Sequence, residues 1–274
     1  MAILRNPSSL AKRREWQAQS RQRLALERPA RTRLQRELRR AAELAAQGFE
    51  DGREAGVAMA LLDHDQRIAA ILDPQWRRTF SIFGGDLLQG ARSGGFLTET
   101  RDEQGFFQAL MQRWIEEFGA LKIQRVSTTT RDNIRDQITR GAEAGESISE
   151  IARRIREFGT GTFSRFRSLN IARTEIHGAS NAASDAALQA LDLPDIVSEW
   201  LSAEDERRRL THRGPPGGAT DGSHVFFADG QIRAQGVPFD VGEDKLLYPG
   251  DPSGSAKEVI ACRCVKAAVI PEDA

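Results

Sequence analysis

The last third of the chain carries residue types that bind metal ions. Cys262 and Cys264 are the two cysteines of this 274-residue chain, and a single residue separates them. His212 and His224 lie in the same stretch, so two thiolates and two imidazoles could supply a zinc site. The spacing is unusual, because zinc-binding cysteines are commonly separated by about two to four residues. The alternative is that both cysteines are small buried apolar residues of a strand.

The same stretch could also perform general acid–base catalysis. Asp205, His212 and Asp221 could form a carboxylate–histidine pair. Nearby arginines could stabilise an anion: Arg207, Arg209 and Arg263. This combination suits phosphodiester hydrolysis, so a metal-assisted or acid–base nuclease is one hypothesis. The chain has no Gly-x-Ser-x-Gly motif and no glycine-rich phosphate loop ending in lysine, so no nucleophile motif supports it.

A third interpretation is architectural, and we favour it. Asp221-Gly222 and Tyr248-Pro249-Gly250-Asp251 are sequences typical of turns. Buried carboxylates and guanidiniums must be paired, so the polar residues of this stretch could clamp long loops over a sheet. We therefore expect no catalytic residue and no required cofactor, and we expect the cysteines and histidines to contact one another rather than a metal.

Charge is distributed unevenly along a chain whose formal net charge is zero. Residues 1–40 contain twelve lysines and arginines but only three glutamates, so the remainder is acidic. A basic arm of this kind can contact nucleic acid or an acidic protein surface, and otherwise it is a solvated helical face. The arginines that we expect to contact a partner or double-stranded DNA are Arg13, Arg14, Arg21, Arg23, Arg31, Arg33, Arg36, Arg39 and Arg40.

The sequence predicts no membrane segment, because no apolar run approaches the roughly 20 residues that cross a bilayer. The N-terminus also lacks the apolar core of a secretory signal. The paired cysteines give no disulfide framework, so the sequence favours a cytoplasmic product.

The elements that would position these residues are mostly helical. Apolar residues at three- and four-residue steps predict a helix from residue 8 to about 72, which we expect Pro74 to end. Glycines within 84–95 predict loops. A second helical set covers about 106–158, with Thr130 as an expected cap and a Ser147–Glu150 capping box. An alanine-rich helix follows, to about residue 190.

After Pro194 glycine and proline become frequent, and short strands are predicted at 197–201, 224–227, 231–233 and 258–269. Ile260, Cys262 and Cys264 alternate, so on the last strand they would share a face. The fold class is therefore α+β, with a mostly helical N-terminal two-thirds and a small C-terminal domain containing a short antiparallel sheet. We divide the chain into an arginine-rich helical arm (1–50), a helical domain (51–170) and a C-terminal α+β domain (171–274).

A set of residues in fixed order resembles the Mu F-like minor head proteins of tailed bacteriophages. The resemblance extends from about 122 to 269 and includes the Gly145–Ile151 unit. Its residues are Arg173, Glu175, Trp200, Asp205, Arg207, His212, Asp221, Gly222, Tyr248, Pro249, Gly250, Asp251, Cys262, Arg263 and Cys264. This chain departs from the family by carrying Ala261 where an asparagine is often found, and by an insertion at 214–218.

The resemblance implies a structural protein without established catalytic activity. It implies a minor component of the virion or procapsid, present in few copies inside the head near the portal vertex, and in the host cytoplasm during assembly. Its expected role is head morphogenesis, DNA packaging or DNA ejection. Its expected partners are the portal protein and capsid or scaffold proteins.

Overall fold

A computed structural model describes residues 3–96, 102–193, 195–203, 209–212 and 228–271. The helices found there are α1 (Ser9–Ala60), α2 (His64–Ser93), α3 (Glu103–Glu143), α4 (Ile148–Thr160), α5 (Thr162–Leu191) and α6 (Ala256–Val259). The strands are β1 (Ile3–Arg5), β2 (Val197–Leu201), β3 (Ile232–Arg233), β4 (Phe239–Val241), β5 (Asp244–Leu246) and β6 (Val265–Ile270), and Leu210–His212 form a 3₁₀ turn. The predicted α+β class, mostly helical before a small region of short strands, is confirmed. None of the helices in these ranges is both long and apolar enough to cross a membrane.

The chain folds into two compact units that each combine separate segments. The sheet unit consists of Met1–Leu26, Trp76–Trp114 and Arg173–Ala274. The helical unit consists of Glu27–Gln75 and Ile115–Ala172. Both units draw on more than one of the three predicted sequence domains, whose boundaries stay a prediction.

The sheet unit contains a mixed sheet with the strand order β1-β6-β2-β3. Strand β2 is antiparallel to both of its neighbours, as expected for a short antiparallel sheet, and β1 adds a parallel strand beside β6. Residues 265–269 are all buried, because both faces of β6 are covered. Alanines of α5 are also buried, and a side chain at Gly84 would meet the Ala183 carbonyl oxygen at 3.2 Å. The alanine-rich helix α5 therefore packs closely against α2.

The helical unit has its own apolar core, built from α1, α3 and α4. Its buried members are Ala41, Ala42, Ala45, Ala46, Phe49, Leu61, Ile134, Ile138, Ile151, Ala152 and Ile155. The predicted capping box begins α4: Ser147 Oγ accepts from Glu150 N at 3.3 Å, and Glu150 Oε2 accepts from Ser147 N at 2.7 Å. Thr130 is not a cap as predicted but lies inside α3, where its hydroxyl donates to the Val126 carbonyl at 2.9 Å.

Two breaks in helical structure that the sequence predicts are absent, because their positions lie inside α2. Pro74 does not end a helix, and Gly84, Gly85 and Gly90 do not form loops, because α2 continues to Ser93. Buried apolar side chains recur at helical spacing on both sides of the proline, and their burial outweighs its cost of about 3 kcal/mol. These side chains are Ile68, Leu72, Trp76, Phe80, Phe83 and Leu87. The observed helix end falls instead after Ala60, and α1 is kinked at Gly52 and Arg53.

The predicted strand over 258–269 is shorter than expected. Its first residues belong to α6, and β6 begins at Val265. Between them the chain turns at Ala261, which has a positive φ of 54° and is therefore incompatible with a strand. Cys262 and Cys264 thus lie in the segment between this turn and β6, and not in a strand.

Candidate metal centre

Two short segments of the sheet unit bring one histidine and both cysteines together. His212 ends the 3₁₀ turn, and the two cysteines lie between α6 and β6. Arg209 connects the segments, because its guanidinium donates to the carbonyls of Glu258 (3.3 Å) and Ile260. The Thr211 carbonyl also accepts from Ala228 N at 2.9 Å, which fixes the histidine turn from its other side.

The three ligand atoms are close and buried. His212 Nδ1 lies 3.6 Å from Cys262 Sγ and 3.4 Å from Cys264 Sγ. All three atoms lie within 4.8 Å of one another, and each residue is 2% exposed. The predicted grouping of His212 with both cysteines is therefore present in the fold, whereas His224 lies outside the described residues.

A buried carboxylate fixes the orientation of the histidine ring. Glu258 Oε2 is 3.0 Å from His212 Nε2 and accepts a further hydrogen bond from Thr211 Oγ1 at 2.7 Å. Burial raises the pKa of Glu258, but the hydrogen bonds from His212 and Thr211 outweigh it and lower the pKa. Burial likewise opposes a charged His212, yet hydrogen bonds with Cys262 and Glu258 raise its pKa to about 9. The carboxylate therefore keeps a proton on Nε2 and leaves Nδ1 facing the sulfurs.

The two thiols differ in their proton affinity. Burial raises the pKa of both, and it dominates for Cys264, whose hydrogen bond with Cys262 raises it further. For Cys262 the hydrogen bonds from Cys264, His177 and His212, together with the charge of His177, lower the pKa well below its ordinary value. One thiolate is thus stabilised in this cluster.

Apolar side chains enclose the cluster. The cysteines pack with Trp200, Ala228, Phe239, Val241 and Leu246 in one buried group. The Trp200 ring meets the His212 ring edge-on, with centroids 5.6 Å apart. This surrounding lowers the local dielectric constant and strengthens any charge interaction among the three ligand groups.

A second buried histidine supports the cluster from α5. His177 is 1% exposed and hydrogen-bonds to Cys262, and burial lowers its pKa. Its Nε2 is 3.2 Å from Asn181 Nδ2. The Asn181 amide also donates to the Pro249 carbonyl (2.9 Å) and accepts from Lys266 N (3.0 Å). The sequence interpretation missed this pair, although the four-residue spacing on an alanine-rich helix was a visible signal.

Arg23 completes this polar network and does not lie on the surface. It is 4% exposed, and its guanidinium donates to Ser180 Oγ (2.6 Å), Asn181 Oδ1 (3.0 Å) and the Cys264 carbonyl (3.3 Å). Its predicted role in contacting a partner is therefore wrong, because its hydrogen bonds are made inside the protein. Of the other predicted arginines, Arg31 and Arg40 are half-buried, and the exposed ones are Arg13, Arg14, Arg21, Arg33, Arg36 and Arg39.

The remaining signature residues that the structure describes have structural contacts. Glu175 accepts from Trp76 Nε1 at 3.2 Å, and the Tyr248 hydroxyl accepts from Trp114 Nε1 at 2.9 Å. Gly250 has a φ of +82°, and a side chain there would meet His177 at 3.0 Å. The other contacts involve the backbone: Asp251 accepts from Leu247 N (2.9 Å) and Ser253 N (2.9 Å), and the Arg263 carbonyl accepts from Trp16 Nε1 (3.1 Å). Arg173 lies in α5.

The nuclease hypothesis depends on residues that the structure only partly describes. Asp205, Arg207, Asp221 and Gly222 lie outside the described residues. His212 would have to act as a base, but one ring nitrogen faces Glu258 and the other faces the two sulfurs. The described part of the site therefore gives the hypothesis no support.

Sequence comparison identifies the family of this fold. A family model described as Phage Mu protein F like protein matches residues 132–267, which is about half of the chain. The chain belongs to the Phage Mu protein F like family. The matched segment includes His212, Cys262 and Cys264 together with the whole of α5 and β2. Membership places the chain among phage head morphogenesis proteins and virion components, a structural family that fits a protein without catalytic activity.

One curated relative gives limited further information. The uncharacterized protein YqbB of Bacillus subtilis (strain 168) is 23% identical over 192 residues, covering 64% of this chain. The chain spans 58% of that relative's length. No solved structure matches this chain significantly.

Proposed function

We propose that this Phage Mu F-like protein is a minor head protein that enters the procapsid and remains in the virion near the portal vertex. The observation that carries the proposal is the family match over residues 132–267. It acts there in head morphogenesis and in DNA packaging or ejection, and it binds the portal protein and the capsid or scaffold proteins from inside the head. During assembly it is in the host cytoplasm.

We assign the exposed arginines of α1 to the contact with these partner proteins or with packaged double-stranded DNA. Arg33, Arg36 and Arg39 are all exposed on one helix. Arginine suits such a contact because its planar guanidinium forms two hydrogen bonds with a phosphate or a carboxylate. DNA binding through these residues would not depend on base sequence and would weaken as salt concentration rises.

The test uses substitutions, because truncation would destroy the fold. Removing residues 1–40 would delete β1 and the buried Arg23 together with the exposed arginines. The test variant therefore replaces Arg33, Arg36 and Arg39 with glutamine, and it complements a phage or prophage whose own copy of the gene has been deleted. Incorporation into heads, DNA content and infectivity are then measured.

A matched control removes three exposed arginine charges from α3 and α4 instead of α1. Arg135, Arg140 and Arg153 have side chains that are 76%, 64% and 69% exposed, and each faces an acidic residue on its own helix. Their replacement with glutamine should leave incorporation and infectivity near wild type. The α1 variant should be folded but poorly incorporated or poor in DNA. Normal infectious particles from the α1 variant would refute the role of this surface, and normal particles from the gene deletion would refute the proposed function itself.

A further inference from the structure

We propose that His212, Cys262 and Cys264 bind a structural zinc ion. The distances among the ligand atoms are the first reason. Tetrahedral zinc with bonds of about 2.3 Å to sulfur and 2.0 Å to nitrogen separates an N and an S ligand by about 3.5 Å. His212 Nδ1 lies 3.6 and 3.4 Å from the two sulfurs, so little rearrangement is needed to admit the ion.

The carboxylate beyond the histidine is the second reason. Histidines that bind zinc commonly donate their other ring N–H to a carboxylate, which fixes the tautomer and orients the ring. Glu258 is in this position, 3.0 Å from His212 Nε2, and it is itself held by Thr211. The nitrogen that faces the sulfurs is therefore the one placed to bind the ion, and it releases its proton when the metal binds.

Hydrogen bonding alone explains the cluster less well. Nδ1 carries one hydrogen when His212 is protonated and one lone pair when it is neutral, so it makes one well-aligned hydrogen bond in either state. The two sulfurs nevertheless lie at nearly equal distances from His212 Nδ1, 3.6 and 3.4 Å. A central cation makes all three contacts favourable, and two thiolates balance the charge of Zn²⁺ so that the buried group is neutral.

Burial indicates a structural zinc rather than a catalytic one. Each of the three ligand residues is 2% exposed, and apolar side chains including Trp200 and Phe239 enclose them. Catalytic zinc keeps a position open to water or substrate, whereas structural zinc has four ligands and is closed to solvent. The described residues supply three ligands, and we assign no group to the fourth position. The ion would cross-link the 3₁₀ turn to the turn before β6, which stabilises the sheet unit. This inference does not depend on whether the protein enters a virion.

The first experiment measures metal content of the full-length protein, purified without chelators and dialysed against zinc and then against buffer. We expect about one zinc per chain by elemental analysis, with little iron or copper. Cys262→Ser, Cys264→Ser and His212→Asn should each lower the content to less than about a tenth of that.

The matched control is His64→Asn in the helical unit. His64 is also buried and also faces a carboxylate, with Nδ1 3.0 Å from Glu37 Oε1, but both cysteines of the chain belong to the sheet unit. This variant should keep its zinc. Equal loss from the control and the site variants would overturn the assignment.

A second measurement needs no variant and therefore does not depend on how the substitutions fold. Wild-type protein stripped of metal and loaded with Co²⁺ should show the thiolate-to-cobalt charge-transfer absorption of cysteine ligation, and added zinc should abolish it. Wild-type protein with less than about a tenth of a zinc per chain would overturn the proposal. Absence of the thiolate-to-cobalt absorption would overturn it as well.

Discussion

Asn181→Ala should destabilise the sheet unit strongly, because this amide connects elements that are far apart in sequence. Its Oδ1 accepts from Lys266 N and Arg23 Nη2, both at 3.0 Å, and its Nδ2 donates to the Pro249 carbonyl at 2.9 Å. The substitution removes a partner from each of these three buried groups. A buried polar group left without its partner costs about 1–3 kcal/mol.

We expect the free energy of unfolding to fall by roughly 3–5 kcal/mol, less than the sum because Arg23 keeps its bonds to Ser180 and Cys264. Urea unfolding followed by tryptophan fluorescence reports the sheet unit, because all four tryptophans belong to it. The control is Asn133→Ala in the helical unit, whose amide donates only to Thr129 on the same helix among its described bonds. It should change stability by less than about 0.5 kcal/mol. A loss below about 1 kcal/mol for Asn181→Ala would refute the reasoning.

Three further predictions concern single residues of the sheet unit. Ala261→Asn should raise the free energy of unfolding by about 0.5–1 kcal/mol, because asparagine tolerates the positive φ at this position better than alanine; a thermal melt no higher than wild type would contradict it. Burial raises the pKa of Glu199 despite the hydrogen bond from Lys12, and the charge of Asp229 adds to the rise. The folded state thus disfavours the ionised carboxyl, so Glu199→Gln should raise the free energy of unfolding at pH 7. This gain should disappear below the ordinary pKa of 4.5, where the carboxyl is protonated in both the folded and the unfolded state. Equal urea midpoints for the variant and the wild type at pH 7 would contradict the prediction. Glu258→Gln should weaken zinc binding by about 10–100-fold in a chelator competition, whereas unchanged affinity would show that the carboxylate does not orient the site histidine.

Local patterns made parts of this fold predictable. The capping box before α4 depends on residues three apart, and the structure contains both of its hydrogen bonds. Strand β2 was also predictable from its short β-rich run between turn signals. Pro74 and Ala261 show where such rules fail. Burial of a long apolar face carries α2 through the proline, and the positive φ of Ala261 delays the start of the expected strand to Val265.

The sequence indicated only some of the residues that form the candidate site. Residue type alone indicated His212, Cys262 and Cys264, because few other residues bind zinc. Glu258 is 46 residues from its histidine partner, and Arg23 is 158 residues from Asn181, so no spacing rule connects them. Their contacts are set by the packing of α1, α5 and the turn before β6. For the same reason Arg23, which belongs to the basic N-terminal run of the sequence, is a buried hydrogen-bond donor and not a surface residue.

Quantitative mass spectrometry of purified heads tests the central claim most directly. Heads of the phage or prophage that encodes this protein would be separated from tails and from unassembled protein before analysis. We predict that the chain is present in the heads in far fewer copies than the major capsid protein. Its absence from heads that contain the capsid and portal proteins would contradict the account.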